Sequence, residues 1–292
     1  MARTDTLSNF LTDIATAIRN KKGTIDTIPA SNFDVEIESI ESGGGKYKPR
    51  YISFYKYTGT ELNEELAGLD TSNMTSFKSL FNSCASLQTA PQFDTYNATN
   101  CGEMFYGCTS LASVPLYDFS KVKTIYRIFY NCRSLLEAPL FDLSNCEELS
   151  QAFYGCSKLV AIPQYNTSKC TVFINAFDNC TNLTTIPELD FGLANNISGL
   201  VSTNTKLTTL GGFKDLGKSY STNWSENSSY GSLNLSKSTS LTYDSLMNVI
   251  NNLYDIASIG VSPQQLNLGA ENLSKLSESD IAIANSKGWN VS

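Results

Sequence analysis

Histidine is absent from all 292 residues. Its absence excludes Ser-His-Asp and Cys-His nucleophile activation, zinc held by imidazole, and the usual proton shuttle near neutral pH. Charge is scarce as well: 17% of residues are charged and the formal balance is −7. A nucleic-acid partner is excluded on that ground, because affinity for a phosphate backbone needs clustered positive charge. Runs of about 18 apolar residues are also missing, so membrane insertion is not expected. Residues 1–8 lack the apolar stretch of a signal peptide. The eight cysteines are therefore expected as reduced thiols. Asn-x-Ser/Thr triplets at Asn73, Asn97 and Asn182 carry no weight in a chain this rich in those residues. A hydrophobic fraction of 41% describes a folded chain.

What the chain does have is a repeat. The pattern Phe-x-x-Cys-x-x-Leu-x-x-(Ala/Val/Ile)-Pro occurs five times at a spacing of 24 residues, starting at Phe81, Phe105, Phe129, Phe153 and Phe177. The cysteine column is Cys84, Cys108, Cys132, Cys156 and Cys180, and the proline column runs from Pro91 to Pro187. A decayed sixth copy falls in register at Val201, Asn204, Leu207 and Gly211. A fixed period of this length marks an architecture of stacked units that bury a shared core.

Within each copy, apolar residues upstream of the Phe recur at steps of three and four, as in Met74, Phe77, Leu80, Phe81 and Cys84. That spacing predicts a short helix. Aspartates with Ser or Asn close behind (Asp70, Asp118, Asp142) supply capping chemistry ahead of it. The Leu and Ala/Val/Ile positions predict a short strand that Pro ends. The expected fold is α/β: a leucine-rich-repeat solenoid of 24-residue coils, each a short helix plus a short parallel strand, preceded by a small N-terminal helical module.

The domain boundaries follow from composition. Residues 1–41 form the helical module, with Leu7, Phe10, Leu11, Ile14 and Ile18 as one apolar stripe and a second helix expected after Pro29, carrying Phe33, Ile37 and Ile40. Two short helices bury too little to stand alone, so the stripe is read as a docking face. Residues 42–47 are a Gly-rich linker. The solenoid occupies 48–211, its first strand the alternating segment 49–57. Residues 212–292 are a loop and helical cap, with helices expected over 241–253 and 278–287.

The runs Asp70–Asn73 and Met104–Leu111 carry a pattern that resembles the BspA-like leucine-rich repeats. Residues Phe10–Arg19, with Ile28, Pro29, Phe33 and Ile37, resemble the N-terminal module of many bacteriophage and prophage structural proteins. Residues Leu246–Leu253, Leu266–Gly269 and Ile281–Trp289 are similar to the C-terminal end of phage-borne versions. The resemblance implies a protein of the virion surface or tail, made in the host cytoplasm, or an adhesin where such a chain is exported.

Three constellations have competing readings. The cysteine column places thiols within disulfide range, yet parallel side chains in one buried row rarely turn toward each other, and zinc prefers Cys-x-x-Cys pairs. Packed free thiols are expected, including Cys101, Cys146 and Cys170. The column Asp70, Asp94, Asp118, Asp142, Asn166 and Asp190 suits either a calcium ladder or capping of backbone N–H groups, with capping favoured because each loop offers few oxygens. Glu61, Glu64, Glu65, Glu147 and Glu148 sit in polar stretches, and none is singled out as an acid or a base. No enzyme activity, cofactor or metal is expected.

The residue after each core Phe is Tyr in three consecutive copies, Tyr106, Tyr130 and Tyr154, so the rings are expected to stack along one edge. Leu136 and Val160 occupy the outward strand position. Tyrosine rings suit protein or sugar surfaces, although covering the helix ends is the slightly favoured reading. The expected function is that of a non-enzymatic phage surface protein, with residues 1–41 on other virion proteins and the repeat on a host glycan or protein. The alternatives are a capsid decoration or baseplate component with no receptor, and a cell-surface adhesin. Leu7–Ile18 is shorter than a coiled coil requires, so a trimeric homo-oligomer is one option among several.

Overall fold

Alternate backbone N–H groups in each copy point in two directions, and this alternation builds the repeat array. A computed structural model describes residues 36–39, 48–57, 70–220 and 230–292. In the first copy the N–H groups of Phe77, Ser79, Phe81 and Ser83 donate to the carbonyls of Asn100, Gly102, Met104 and Tyr106 in the next copy. Those of Leu80, Asn82 and Cys84 bond inside the copy, to the carbonyls of Phe77, Ser79 and Phe81. The pattern recurs 24 residues on, with Glu103, Phe105 and Gly107 donating to Tyr126, Ile128 and Tyr130.

The short helix expected in each copy is therefore not formed; a chain of linked turns takes its place. Two positions per copy adopt left-handed backbone: Ser79, Glu103, Arg127, Gln151 and Asn175 form one column, and Ser83, Gly107, Asn131, Gly155 and Asn179 the other. A left-handed residue every fourth position breaks the right-handed winding that an α-helix needs. Turns that close every three residues reproduce the apolar spacing of a helix, which is why the sequence pattern reads as one.

Successive copies lie in parallel register. Bridges join Ser76 to Asn100, Asn100 to Thr124, Thr124 to Glu148, Glu148 to Val172 and Val172 to Asn196, each step being 24 residues. A second ladder includes Thr89 with Ser113 and Ala161 with Thr185. It continues as β3 (Thr185–Ile186) on β5 (Thr209–Leu210), beside β4 (Leu189–Asp190) on β6 (Phe213–Lys214). The expected parallel strand is present in reduced form, as single bridges and two-residue strands.

The core is a set of columns. The rings of Phe81, Phe105, Phe129, Phe153 and Phe177 stack at centroid spacings of 5.5, 5.6, 5.5 and 5.9 Å, all fully buried. Beside them Tyr117 and Tyr165 are buried among Phe93 and Phe141. Their hydroxyls donate to the carbonyls of Pro91 and Pro139, so the burial leaves no orphan polar group. All eight cysteines are free and buried, as expected.

At the N-terminal end, Phe54 stacks on Phe81 at 5.3 Å and extends the column. Upstream, β1 (Glu36–Ser39) pairs antiparallel with β2 (Lys48–Tyr51). Ile37 lies in a strand rather than in the helix expected after Pro29; the linker assigned to 42–47 lies outside the described residues. The capping strand expected over 49–57 is shorter, ending at Tyr51. Helix-docking residues Leu7, Phe10, Leu11, Ile14 and Ile18 lie outside the described residues.

At the other end, helix α1 (Tyr243–Asn252), capped by the Thr242 side chain, closes the ladder. The Ser245 hydroxyl accepts from the N–H of Leu210 and donates to the carbonyl of Thr208, and the Asn248 amide donates to the carbonyl of Leu210. Side chains thus satisfy the edge of β5 that another strand would otherwise pair with. Helices α2 (Gly269–Leu273) and α3 (Glu278–Ser286) follow, α3 opening with a capping box between Ser277 and Asp280. Stacking continues beyond the 24-residue period: β7 (Leu233–Asn234), β8 (Gln264–Asn267) and β9 (Trp289–Val291) form a parallel sheet in that order. The segment 211–240, expected as loop, thus contributes β6 and β7.

Candidate binding surface

The residue that closes each left-handed turn is placed with its side chain at the surface. Tyr106, Tyr130 and Tyr154 donate their N–H groups to the carbonyls of Glu103, Arg127 and Gln151 at 3.1, 3.1 and 3.2 Å. Because the units lie in register, the three rings stack, at 4.8 Å and 7° for the first pair and 4.9 Å and 13° for the second. Each ring is half-buried. The stacking consumes the facing surfaces of the three rings. The tyrosine edge expected from the spacing is present as a continuous row.

Residues three positions earlier form a parallel row that the sequence reading did not single out. The Arg127 guanidinium carbon lies 4.7 Å from the Tyr126 ring centroid and 5.5 Å from that of Tyr130. Its Nε donates to Gln151 Oε1 at 2.6 Å, and the Ser79 hydroxyl donates to Glu103 Oε2 at 3.0 Å. The signal was available, since Glu103, Arg127 and Gln151 precede the tyrosines at a constant step of three.

Leu136 and Val160 are exposed, at 54% and 50%. So are Leu116 and Leu140, at 68% and 61%, one residue after Pro115 and Pro139 and also unforeseen. Their register places Leu116 beside Leu140 and Leu136 beside Val160, a second apolar stretch of surface distinct in sequence position from the tyrosine row.

The acidic column has a defined job. Asp70, Asp94, Asp118, Asp142 and Asp190 each accept, through Oδ1, the N–H two residues ahead, at 2.9–3.0 Å, and Asn166 does the same at 3.2 Å. These are Asx turns, in which each side chain caps a backbone N–H. Hydrogen bonds from Ser144 hold the Asp142 carboxyl below the usual carboxylate range. Among the described residues no group of three His, Cys, Asp or Glu side chains converges as a metal site would require. The amides of Asn97 and Asn182 donate to the carbonyls of Ser72 and Ser157, so two of the three triplet asparagines are tied into the backbone.

The cysteine column is also a bonding ladder. The thiols of Cys84, Cys108, Cys132, Cys156 and Cys180 lie 2.9–3.1 Å from the carbonyls of Phe54, Phe81, Phe105, Phe129 and Phe153 and donate to them. Burial pushes the Cys108, Cys132 and Cys156 thiols up, and that of Cys180 up to about 12. Such thiols pack and cap; they do not react.

The family described as Mycoplasma protein of unknown function, DUF285, matches residues 52–140 and again 135–209. The chain belongs to this family. The two matched stretches together span the copies from the Phe54 cap to the decayed sixth, the segment whose units stack in register. It is a family of BspA-like repeats, in agreement with the resemblance carried by Met104–Leu111. No curated protein matches the chain. Among the described residues no helix is long and apolar enough to cross a membrane.

Proposed function

We propose that this chain is a non-enzymatic surface protein of a bacteriophage particle, built as a leucine-rich-repeat solenoid that displays a binding face. Residues 1–41 attach it to other virion proteins, and the tyrosine row engages the host surface. The observation that carries the binding role is the row itself: three half-buried rings held in register at 4.8–4.9 Å on a buried scaffold. Function built on rigid elements keeps its geometry at little entropic cost on binding. The phage context rests on the resemblance of the two ends to phage-borne chains. The non-enzymatic reading rests on the absence of histidine and of any carboxylate pair marked out for acid and base roles.

Two experiments on the full chain test this reading. Excess purified chain added to host cells before infection lowers particle adsorption; unchanged adsorption rejects the receptor role. Replacing Phe10 and Ile14 by Asp in the full chain removes it from purified particles while leaving its melting unchanged. Normal incorporation of that variant rejects the docking assignment.

A further inference from the structure

Left-handed backbone favours Gly and Asn, and most of this chain obeys that preference. The second left-handed column holds Ser83, Gly107, Asn131, Gly155 and Asn179. In the first column the outer units hold Ser79, Asn175 and Gly199, but the three central ones hold Glu103, Arg127 and Gln151, with φ of 57°, 54° and 55°. Those three units are the ones that carry Tyr106, Tyr130 and Tyr154; the outer units place Asn82 and Asp178 there instead. Within this column, long polar side chains are thus held in a strained conformation only in the three units that carry the tyrosines. Strain kept where an easier residue is used elsewhere in the same column points to function.

The geometry points to a glycan-binding site formed by two parallel rows, Tyr106–Tyr130–Tyr154 and Glu103–Arg127–Gln151, that takes an extended polysaccharide. This deepens the host-surface reading and rests on it. The rows offer hydroxyls, a carboxylate, a guanidinium and a carboxamide, a mixture of donors and acceptors that matches the hydroxyls of a sugar chain. The tyrosine rings follow one another at 4.8–4.9 Å, comparable with the advance of one pyranose residue in an extended chain, so successive sugars meet successive rings. Inner ring faces are covered, so recognition runs through hydroxyls, with sugar stacking confined to the outer faces of the terminal rings. A protein partner is less well matched, because the exposed leucines that would anchor one lie in other columns.

The test is binding of the full chain to an array of immobilised oligosaccharides of defined sequence. Two variants accompany it: the triple Y106F/Y130F/Y154F, which keeps the rings and removes the hydroxyl row, and Arg127→Asn, which keeps a residue suited to left-handed backbone. The expected result is binding to at least one oligosaccharide of three or more residues, weakened at least tenfold by each variant, with both variants folded by circular dichroism. No binding to any oligosaccharide, or binding unchanged in both variants, overturns the site; so does binding to a polypeptide ligand alone. Failure here with the chain still located on particles leaves the virion reading standing. Binding by a chain found on no particle removes that reading and keeps the site.

Discussion

The Asn204 amide donates to the carbonyl of Phe177 at 2.8 Å, 27 residues upstream, the step at which Cys180 bonds Phe153. Asn204 therefore stands in the cysteine column and performs its bond. It does more, because its Oδ1 accepts the N–H of Cys180 at 3.1 Å. The ladder then passes on at steps of 34 residues, with the Ser238 hydroxyl donating to the carbonyl of Asn204 and the Asn272 amide to that of Ser238. Replacing Asn204 by Cys restores the column by sequence but leaves the buried Cys180 N–H without that acceptor. The expected cost is about 1–3 kcal/mol in urea unfolding. An unchanged midpoint would show that the amide adds nothing beyond a thiol.

The thiols should be silent in the native state. With the Cys108, Cys132 and Cys156 pKa values raised by burial and that of Cys180 near 12, thiolate is scarce at pH 8. Cys146 is the exception in direction, lowered chiefly by a hydrogen bond from the Cys170 thiol, yet it too is shielded from solvent. A thiol reagent at pH 8 should label none of the eight cysteines before unfolding, and all eight in denaturant. Rapid native labelling of any column member would contradict the packing described.

Phe129 sits between Phe105 and Phe153, at 5.6 and 5.5 Å, with Phe141 at 6.4 Å. Truncation to Ala opens a cavity in the middle of the stack, where units on both sides depend on it. A loss of about 3–5 kcal/mol is expected from equilibrium unfolding. In a stack of neighbour-dependent units such a defect also splits the transition, so two phases replace one.

Asp142 links the turn column to pH. Its carboxyl is held below its ordinary value of 3.8 by Ser144, so its contribution is present above that pH and fades as pH falls through the native value. Asn166 makes the equivalent bond without a charge. Asp142→Asn should therefore leave stability at pH 7 within about 1 kcal/mol and make the loss of stability between about pH 4 and 2 shallower. A steeper acid transition in the variant would be inconsistent with this assignment.

Arg127→Asn changes two opposing terms. Relief of left-handed strain is worth about 1 kcal/mol, and loss of the contact with the Tyr126 and Tyr130 rings costs about 0.5–1 kcal/mol. The two nearly cancel, so the variant should melt within a few degrees of the parent protein. A large drop in melting temperature would make Arg127 structural.

Much of the array was readable from residue types at fixed spacing. The Phe and Cys columns, the aspartate turns and the tyrosine row all lie where the 24-residue register puts them. The local backbone was not readable, because steps of three and four arise from linked turns as well as from a helix. Only the residues tolerating positive φ, such as Asn131 and Gly155, carry the distinction. Glu103, Arg127 and Gln151 hid even that clue, since long polar residues rarely take left-handed backbone. The C-terminal stacking escaped because the step lengthens from 24 to 34 residues between Asn204 and Ser238, which a search at one period cannot follow.

The most direct measurement is immunogold electron microscopy of intact particles with antibody raised against residues 48–292. Gold confined to the tail tip is the expected result, with the repeat face turned outward. Gold spread over the capsid would contradict the receptor role, and unlabelled particles would contradict the virion assignment itself.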